Sequence, residues 1–356
     1  MQVQDQSNIQ TFWKKLRRNK GAVFGLIVIV LAIVTALFAY VLAPDATPDA
    51  NRIIVEIAAK KPGYQQQFYL QEKETSHKGN LLFGKEDAVQ YIPISSYQQK
   101  QDTLFVQKYV DDGVSEPMYF LLNGKQAAQL LTTKTFWLGT DKFGRDILSR
   151  LVVGVRVSLS VGLIAVLISL TVGIFLGAVA GYFRGWIDEA ILWLINVVWS
   201  IPTLLLVFAI TLALGKGFWQ VFIAVGLTLW VNVARLVRGQ ILSIRELNYI
   251  EATKAMGFSH SRTIFKHILP NIMGPVIVIA ASNFASAIVI EAGLSFLGVG
   301  VQAPQPSWGL MIKENYNFII TNNPMLAIAP GIAIMLLVLA FNLLGNGLRD
   351  VLDVRN

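Results

Sequence analysis

The chain has no cysteine among its 356 residues. That excludes a disulfide framework and any metal site built on thiolates. Histidine is nearly absent too: His77, His260 and His267 offer little for an imidazole site. Charge is scarce, with 15% of residues charged against 54% hydrophobic, where a soluble domain carries about 25% charge. So apolar a chain cannot present a water-compatible surface around one core, which excludes a soluble enzyme. A phosphate-cradling G-x-x-x-x-G-K-[ST] loop is also missing; Lys125 and Lys216 follow glycines but lack the spacing and the Ser or Thr. The net charge is +8. In a membrane chain this reads as basic cytoplasmic loops, not as a nucleic-acid surface.

What the chain has instead is apolar length. Six stretches stand out: Ala22 to Ala43, Val157 to Tyr182, Ile187 to Leu214, Phe218 to Ala234, Ile272 to Val301 (broken only by Glu291) and Met325 to Leu344. Crossing a hydrocarbon core by helix takes roughly 20 residues. Period-2 alternation is lacking, so the expectation is six transmembrane helices and not a barrel. The first stretch exceeds a signal peptide's apolar region and is followed by Pro44, so it is expected to stay as a span. Basic residues precede it (Lys14, Lys15, Arg17, Arg18, Lys20), lie between the fourth and fifth stretches (Arg235, Arg238, Arg245, Lys254, Arg262, Lys266) and follow the sixth (Arg349, Arg355). Six crossings put these three regions, and both termini, in the cytoplasm.

Residues 51–135 differ from the rest. They are Gln-rich, nearly balanced in charge and aromatic, with short alternating runs at Arg52–Glu56, Gln67–Leu70, Asp102–Val106 and Met118–Leu122, and an Asn123-Gly124 turn signal. The expectation is a small α+β domain, inserted between helices one and two on the outer side.

Glycines recur every fourth residue at Gly173, Gly177 and Gly181, and again at Gly21 and Gly25, a spacing that lets helix backbones approach closely, within the fold or against a partner helix. Pro202, Pro275 and Pro330 are expected to bend their helices. Trp186 and Trp219 suit the aromatic belts at the membrane faces.

The basic loop after the fourth stretch carries the densest motif. It reads Tyr249-Ile250-Glu251-Ala252-Thr253-Lys254-Ala255-Met256-Gly257 and runs on to His267-Ile268-Leu269-Pro270. Asn248 can cap a short helix with Glu251 at its third position, and Ala252 with Ala255 leaves one face low. Gly257 can take the left-handed conformation that ends a helix. Ser259 or Ser261 can cap a second short helix, which Pro270 is expected to close.

This arrangement resembles the EAA loop of ABC importer permeases, the coupling helix that seats in a groove of the ATPase subunit. Glu251, Ala252, Gly257, Leu269 and Pro270 stand in the family's register, while Thr253 replaces its second Ala and His267 its Ile. The likeness extends over Leu138–Arg150, Ser200-Ile201-Pro202, Ala234–Gly239, Leu294–Gly298, Pro306–Gly309, Asn342–Gly345, Leu348–Asp350 and the entry Trp13–Gly25. Asn346 and Val354 depart from its usual Asp and Pro. Together these segments resemble the C-type permease subunit of a dipeptide or oligopeptide ABC importer; the family also carries nickel and other small solutes.

The resemblance implies an all-α polytopic permease with an inserted outer domain. The expected division is a cytoplasmic segment 1–21, a first helix 22–43, an extracytoplasmic insert 44–135, an outer segment 136–156, a five-helix core 157–347 holding the loop 235–270, and a cytoplasmic tail 348–356. Implied partners are a second homologous permease subunit, two ATPase subunits, an extracytoplasmic peptide-binding protein and lipid, with no nucleic acid. No cofactor or metal is expected on this chain, ATP and Mg belonging to the ATPase subunits. Glu251, Ala252, Ala255, Gly257, Leu269 and Pro270 are then the coupling candidates.

Other residues have two readings each. Glu291, an acid deep in an apolar stretch, can line the path and meet a substrate ammonium, or hydrogen-bond with Ser295. Asn283 and Asn342 are weaker path candidates, with packing as the alternative. Asp141, Arg145 and Asp146 can form an ion pair that shapes an outer gate or a binding-protein seat, or a local structural clamp. Arg235 and Arg238 mark the cytoplasmic boundary or meet ATPase acids; His260 and His267 read as surface or packing residues and not as ligands. The rival class is an ion-driven secondary transporter, for which Glu291 alone is thin support. A membrane-anchored scaffold for the outer domain is a third.

Overall fold

A computed structural model describes residues 13–73, 79–80, 83–122, 126–215, 217–320 and 323–352. The Asn123-Gly124 turn, His77, Lys125, Lys216, Val354 and Arg355 lie outside the described residues. In chain order the elements are α1 (Lys20–Leu37), β1 (Tyr64–Glu72), β2 (Val89–Lys100), β3 (Thr103–Asp111), β4 (Val114–Leu121), β5 (Leu131–Phe136), α2 (Ile147–Phe183), α3 (Gly185–Trp199), α4 (Thr203–Leu214), α5 (Phe218–Ile244), α6 (Asn248–Ala255), α7 (His260–Leu297), α8 (Trp308–Asn315) and α9 (Met325–Leu352).

Among the described residues five helices are long and apolar enough to cross a membrane: α1, α2, α5, α7 and α9. The third apolar stretch is not one rod. It is the pair α3–α4, bent by 93° at Ser200-Ile201-Pro202, and makes a sixth span only if the pair is counted as one. Proline explains the break: Pro202 has no N–H to continue the ladder and disfavours helix at the residue before it. It sits at the cap position of α4. The expected boundaries move elsewhere as well. α2 begins ten residues before Val157, and α5 runs on past Ala234 to Ile244, carrying Arg235 and Arg238 within the helix.

The chain divides into two compact units, one of Met1–Ile33, Ser158–Gln302 and Ile334–Asn356, the other of Val34–Val157 and Ala303–Ala333. In the first unit the glycine ladder does what its spacing implied. A Cβ at Gly177 would stand 2.6 Å from the Ala234 carbonyl oxygen, and one at Gly181 2.9 Å from that of Arg238, so α2 and α5 touch backbone to backbone. Gly25 likewise lies against the Ala340 carbonyl of α9, and the Asn19 amide donates to Asp350 at 3.1 Å.

The second unit holds a five-stranded antiparallel sheet in the order β4-β3-β2-β1-β5. Alternation along β1 sends Phe68 and Tyr69 to opposite faces. Phe68 packs with Ile54, Ile57, Tyr109 and Phe136; Tyr69 packs with Ile92, Ile94, Leu104 and Val106. The expected α+β insert is therefore an antiparallel sheet whose described α-helix is the four-residue Ala127–Leu130. The sheet runs to Phe136, and its unit also includes residues 303–333, so the boundary at 135 does not mark off a separate body. The runs at 67–70, 102–106 and 118–122 fall in β1, β3 and β4, but Arg52–Glu56 forms no strand. There the Arg52 amide donates to Asp45 at 3.0 Å and its guanidinium forks onto Asp87, which pins the segment into loop and one 3₁₀ turn at Val55–Ile57.

Candidate functional site

The loop between α5 and α7 is built with an inner and an outer side. Ile250 of α6 and Ile264 and Ile268 of α7 are buried with Val233, Val237, Ile241, Ile272 and Val276. Leu269 packs on the same cluster. Opposite them Glu251, Ala252, Ala255, Met256 and Gly257 are all exposed, as is Pro270. No hydrogen bond or ion pair ties the Glu251 carboxylate to another of the described residues.

Gly257 has φ +74° with open space where a Cβ would stand. The Phe258 amide bonds the Thr253 carbonyl at 3.0 Å, the six-to-one bond that closes a helix through a left-handed residue. Ser259 caps the next helix, accepting from the Arg262 amide at 3.4 Å. Two expectations change. Asn248 is the first residue within α6, not its cap; the Leu247 carbonyl takes the first bonds, from Ile250 at 2.9 Å and Glu251 at 3.3 Å. Pro270 does not close a second short helix, because α7 continues through it. A single π-helical turn at Ile264–Ile268 shifts the register so that Pro270 falls in the first turn of the resumed α-helix, where its missing N–H costs nothing.

Two contacts that sequence did not reveal fix the loop. Thr253, the departure from the family's Ala, is buried; its hydroxyl donates to the Ile250 carbonyl at 2.7 Å and lies 3.3 Å from that of Thr263. At the end of α2, the Tyr182 hydroxyl is 2.9 Å from His260 Nδ1, and the Tyr182 and Phe183 rings meet the imidazole edge-on. Both follow from a polar residue at a core-facing position, a signal visible only once the helix phase is known. His267 lies beside the Phe258 ring. Arg238 forks onto Asp188 at 2.5 and 2.7 Å, and Arg235 lies 3.6 Å over the Trp199 ring, so both hold α3 to α5.

The three path candidates do not converge. Glu291 is buried and accepts from the Ser295 hydroxyl at 2.6 Å, while that hydroxyl accepts from the Val301 amide at 3.0 Å. Asn283 is buried and donates to Ser169 at 3.3 Å and to the Leu229 carbonyl at 3.4 Å, joining α7, α2 and α5. Asn342 is exposed. None of them lines the hollow of about 410 Å³ between α5, α7 and α9, whose polar lining is Gln240, Ser282 and Arg349.

Asp141, Arg145 and Asp146 are all buried in the second unit. Asp141 accepts from the amides of Phe143 at 2.9 Å and Arg145 at 3.0 Å, and pairs with the Arg145 guanidinium at 2.6 Å. Arg145 also reaches Glu314 of α8 at 2.8 Å and Asn51 at 3.2 Å. Asp146 stands outside this pair and instead caps α2, accepting from the Ser149 amide at 2.9 Å and from its hydroxyl. The geometry of Asp141 and Arg145 is that of an internal clamp. Arg150, fully buried beside it with Asp141 and Glu314 each 3.9 Å away, was not singled out by sequence. The Pro306–Gly309 motif docks on the start of α2: the Trp308 indole donates to the Leu151 carbonyl at 3.0 Å.

Comparison with known proteins adds the following. The family described as binding-protein-dependent transport system inner membrane component matches residues 173–356, and the N-terminal TM domain of oligopeptide transport permease C matches residues 7–62. The chain is 45% identical over 217 residues to the dipeptide transport system permease protein DppC of Alkalihalophilus pseudofirmus, covering 61% of this chain and 71% of that one. It is 39% identical over 221 residues to the oligopeptide transport system permease protein OppC of Bacillus subtilis, covering 62% and 72%. To the glutathione transport system permease protein GsiD of Pectobacterium atrosepticum it is 42% identical over 217 residues, covering 61% and 72%. Among solved structures, the inward-facing MetNI methionine ABC transporter aligns over 58% of this chain and 97% of that chain, with a TM-score of 0.48 and 20% identity.

Proposed function

Because the chain belongs to the family of binding-protein-dependent transport system inner membrane components, we propose that it forms half of the membrane path of an ATP-driven peptide importer and receives the ATPase stroke through residues 251–270. The chain is a multi-pass inner-membrane permease and not itself an enzyme. One observation carries the coupling role: the loop buries its aliphatic side in the helix core while its motif residues, Glu251, Ala252, Ala255 and Gly257, stay exposed, the Glu251 carboxylate with no hydrogen bond or ion pair among the described residues. A short helix with alanines outward lets a partner's backbone come close, and an unpaired carboxylate offers that partner a hydrogen-bond acceptor.

In this reading two ATPase subunits bind ATP and Mg and seat such loops in grooves, this chain and a second homologous permease each supplying one. Their closure switches the path between inward- and outward-facing states. A binding protein delivers peptide from outside. Peptide is favoured as the substrate by the dipeptide, oligopeptide and glutathione permeases among the relatives. The Lys and Arg of residues 14–20 and 235–266 support a cytoplasmic loop and cytoplasmic termini. Glu291, Asn283, Asp141, Arg145 and Asp146 are then framework residues, and the hollow at Gln240, Ser282 and Arg349 is the better path candidate.

The test is Ala255→Trp in the assembled transporter. Ala255 is exposed, so folding should be unaffected, while ATPase co-purification and peptide uptake should each fall about tenfold or more. Normal values for both would remove the coupling role.

A further inference from the structure

The hollow of about 410 Å³ between α5, α7 and α9 brings three polar side chains together, Gln240, Ser282 and Arg349. The chain uses none of them: no hydrogen bond, ion pair or ring contact ties these side chains to another of the described residues. Asp350, the acid next to Arg349, accepts instead from the Asn19 amide at 3.1 Å. Arg349 and Ser282 are exposed and Gln240 is half-buried, so a molecule in the hollow can reach all three. Leu236, Val278, Ile279 and Leu352 supply apolar wall, and no acid is among the described residues that line it. An ionisable side chain on a membrane helix usually pairs or faces a functional cavity, because its desolvation is costly. A basic residue at a cytoplasmic helix end accounts for the sign of Arg349. It does not account for its place in a hollow with two further unspent polar groups.

We propose that Arg349 takes the C-terminal carboxylate of a short peptide inside the path, with Gln240 and Ser282 bonding the peptide unit beside it. The assignment rests on the reading of this hollow as path. A guanidinium meets a carboxylate through two parallel N–H···O bonds, which fixes orientation as well as affinity. Every short peptide carries that carboxylate whatever its sequence, so one cation serves a mixed substrate class. The aliphatic wall makes no polar demand on the peptide's side chains, which keeps sequence preference weak. The volume lies within the roughly 300–1,000 Å³ of small-molecule pockets. With no acid lining the hollow among the described residues, the peptide's ammonium meets no counter-charge there and is left to solvent. The site therefore reads one end of the peptide and ignores the other.

The experiment uses the transporter assembled with its ATPase subunits and second permease, in nanodiscs of neutral phosphatidylcholine, without nucleotide or binding protein. Calorimetric titration compares leucyl-leucine, its N-acetyl derivative, which lacks the ammonium, and its C-terminal amide, which lacks the carboxylate. The first two should bind alike, each about tenfold or more tightly than the amide. Arg349→Gln should bring both down to the level of the amide and leave the amide unchanged, while Arg349→Lys should keep part of the preference. Equal affinity for acid and amide, no binding of any probe, a preference that survives Arg349→Gln, or a loss on N-acetylation as large as that on amidation would each overturn the site. Competition by phosphatidylglycerol that disappears in Arg349→Gln would assign the hollow to lipid instead. ATP-driven uptake of leucyl-leucine by the wild type, with its binding protein restored, separates the two claims. Uptake without a carboxylate preference in binding removes the site and leaves the path reading; no uptake removes both.

Discussion

The segments 251–257 and 141–150 are both dense in motif residues, and the chain treats them in opposite ways. In the first, Glu251, Ala252, Ala255 and Gly257 are exposed, while Thr253 and the preceding Ile250 are buried in the chain's own packing. In the second, Asp141 and Arg145 are consumed by internal bonds and Arg150 is fully buried. A motif whose charged groups are buried and bonded within the chain, as Asp141 and Arg145 are, is architecture. One held rigidly from behind with its face unspent is suited to a partner.

If that contrast is right, substitutions in the two segments should separate stability from coupling. The largest loss of stability is expected from Arg145→Ala, which takes from Asp141 and Glu314 their nearest cation and leaves them only Arg150 at 3.9 Å among the described residues. Removing one partner of a buried pair costs about 3–5 kcal/mol, readable as a drop in the thermal midpoint of the purified chain. Next is Gly177→Leu, which forces α2 and α5 apart where a Cβ would already meet the Ala234 carbonyl. Overpacking of this kind costs about 1–3 kcal/mol, and reduced yield of folded chain is the check. Gly257→Val should cost about 1–2 kcal/mol because a β-branched residue is forced to a left-handed φ. Gly257→Asn should cost less, and uptake should follow the same order. Ala255→Trp should change stability by no more than about 0.5 kcal/mol while uptake collapses. A loop variant that unfolds the chain, or Arg145→Ala leaving its midpoint unchanged, would break the comparison.

The smallest effect is a pH dependence at Lys134, which faces Arg52, Asp87, Asp45 and Asp146. Burial and Arg52 disfavour its charged form in the folded chain, so the unfolded chain holds the proton more tightly. Stability from this group is lowest below about 8 and rises as pH climbs toward 10.5. Lys134→Met should therefore be more stable than the wild type at pH 7, with the gain shrinking by pH 10 in parallel melting curves.

Apolar length revealed the membrane helices, and glycine spacing revealed that helix backbones approach closely without naming the helices that meet, because both depend on local pattern alone. Gly257 was legible because caps are local too, and Ser259 was one of two caps, with Ser261, that the sequence offered. The 93° break between α3 and α4 was only half visible: Pro202 announces a bend, but its angle is set by what each helix packs against. The passage of α7 through Pro270 was hidden, since a π-helical turn leaves no composition signal. In the insert, alternation at Arg52–Glu56 was overruled by the Asp45 and Asp87 carboxylates that hold Arg52. β2 carries Pro93 and a polar end and so lacked the pattern of a strand.

The absence of cysteine makes the central claim directly measurable, because a single Ala255→Cys substitution gives one unambiguous label. With a membrane-impermeant maleimide, the account predicts no labelling in intact cells, labelling in inside-out vesicles stripped of the ATPase, and protection when the ATPase subunits are restored. Labelling from outside intact cells, or no protection by the ATPase, would contradict it.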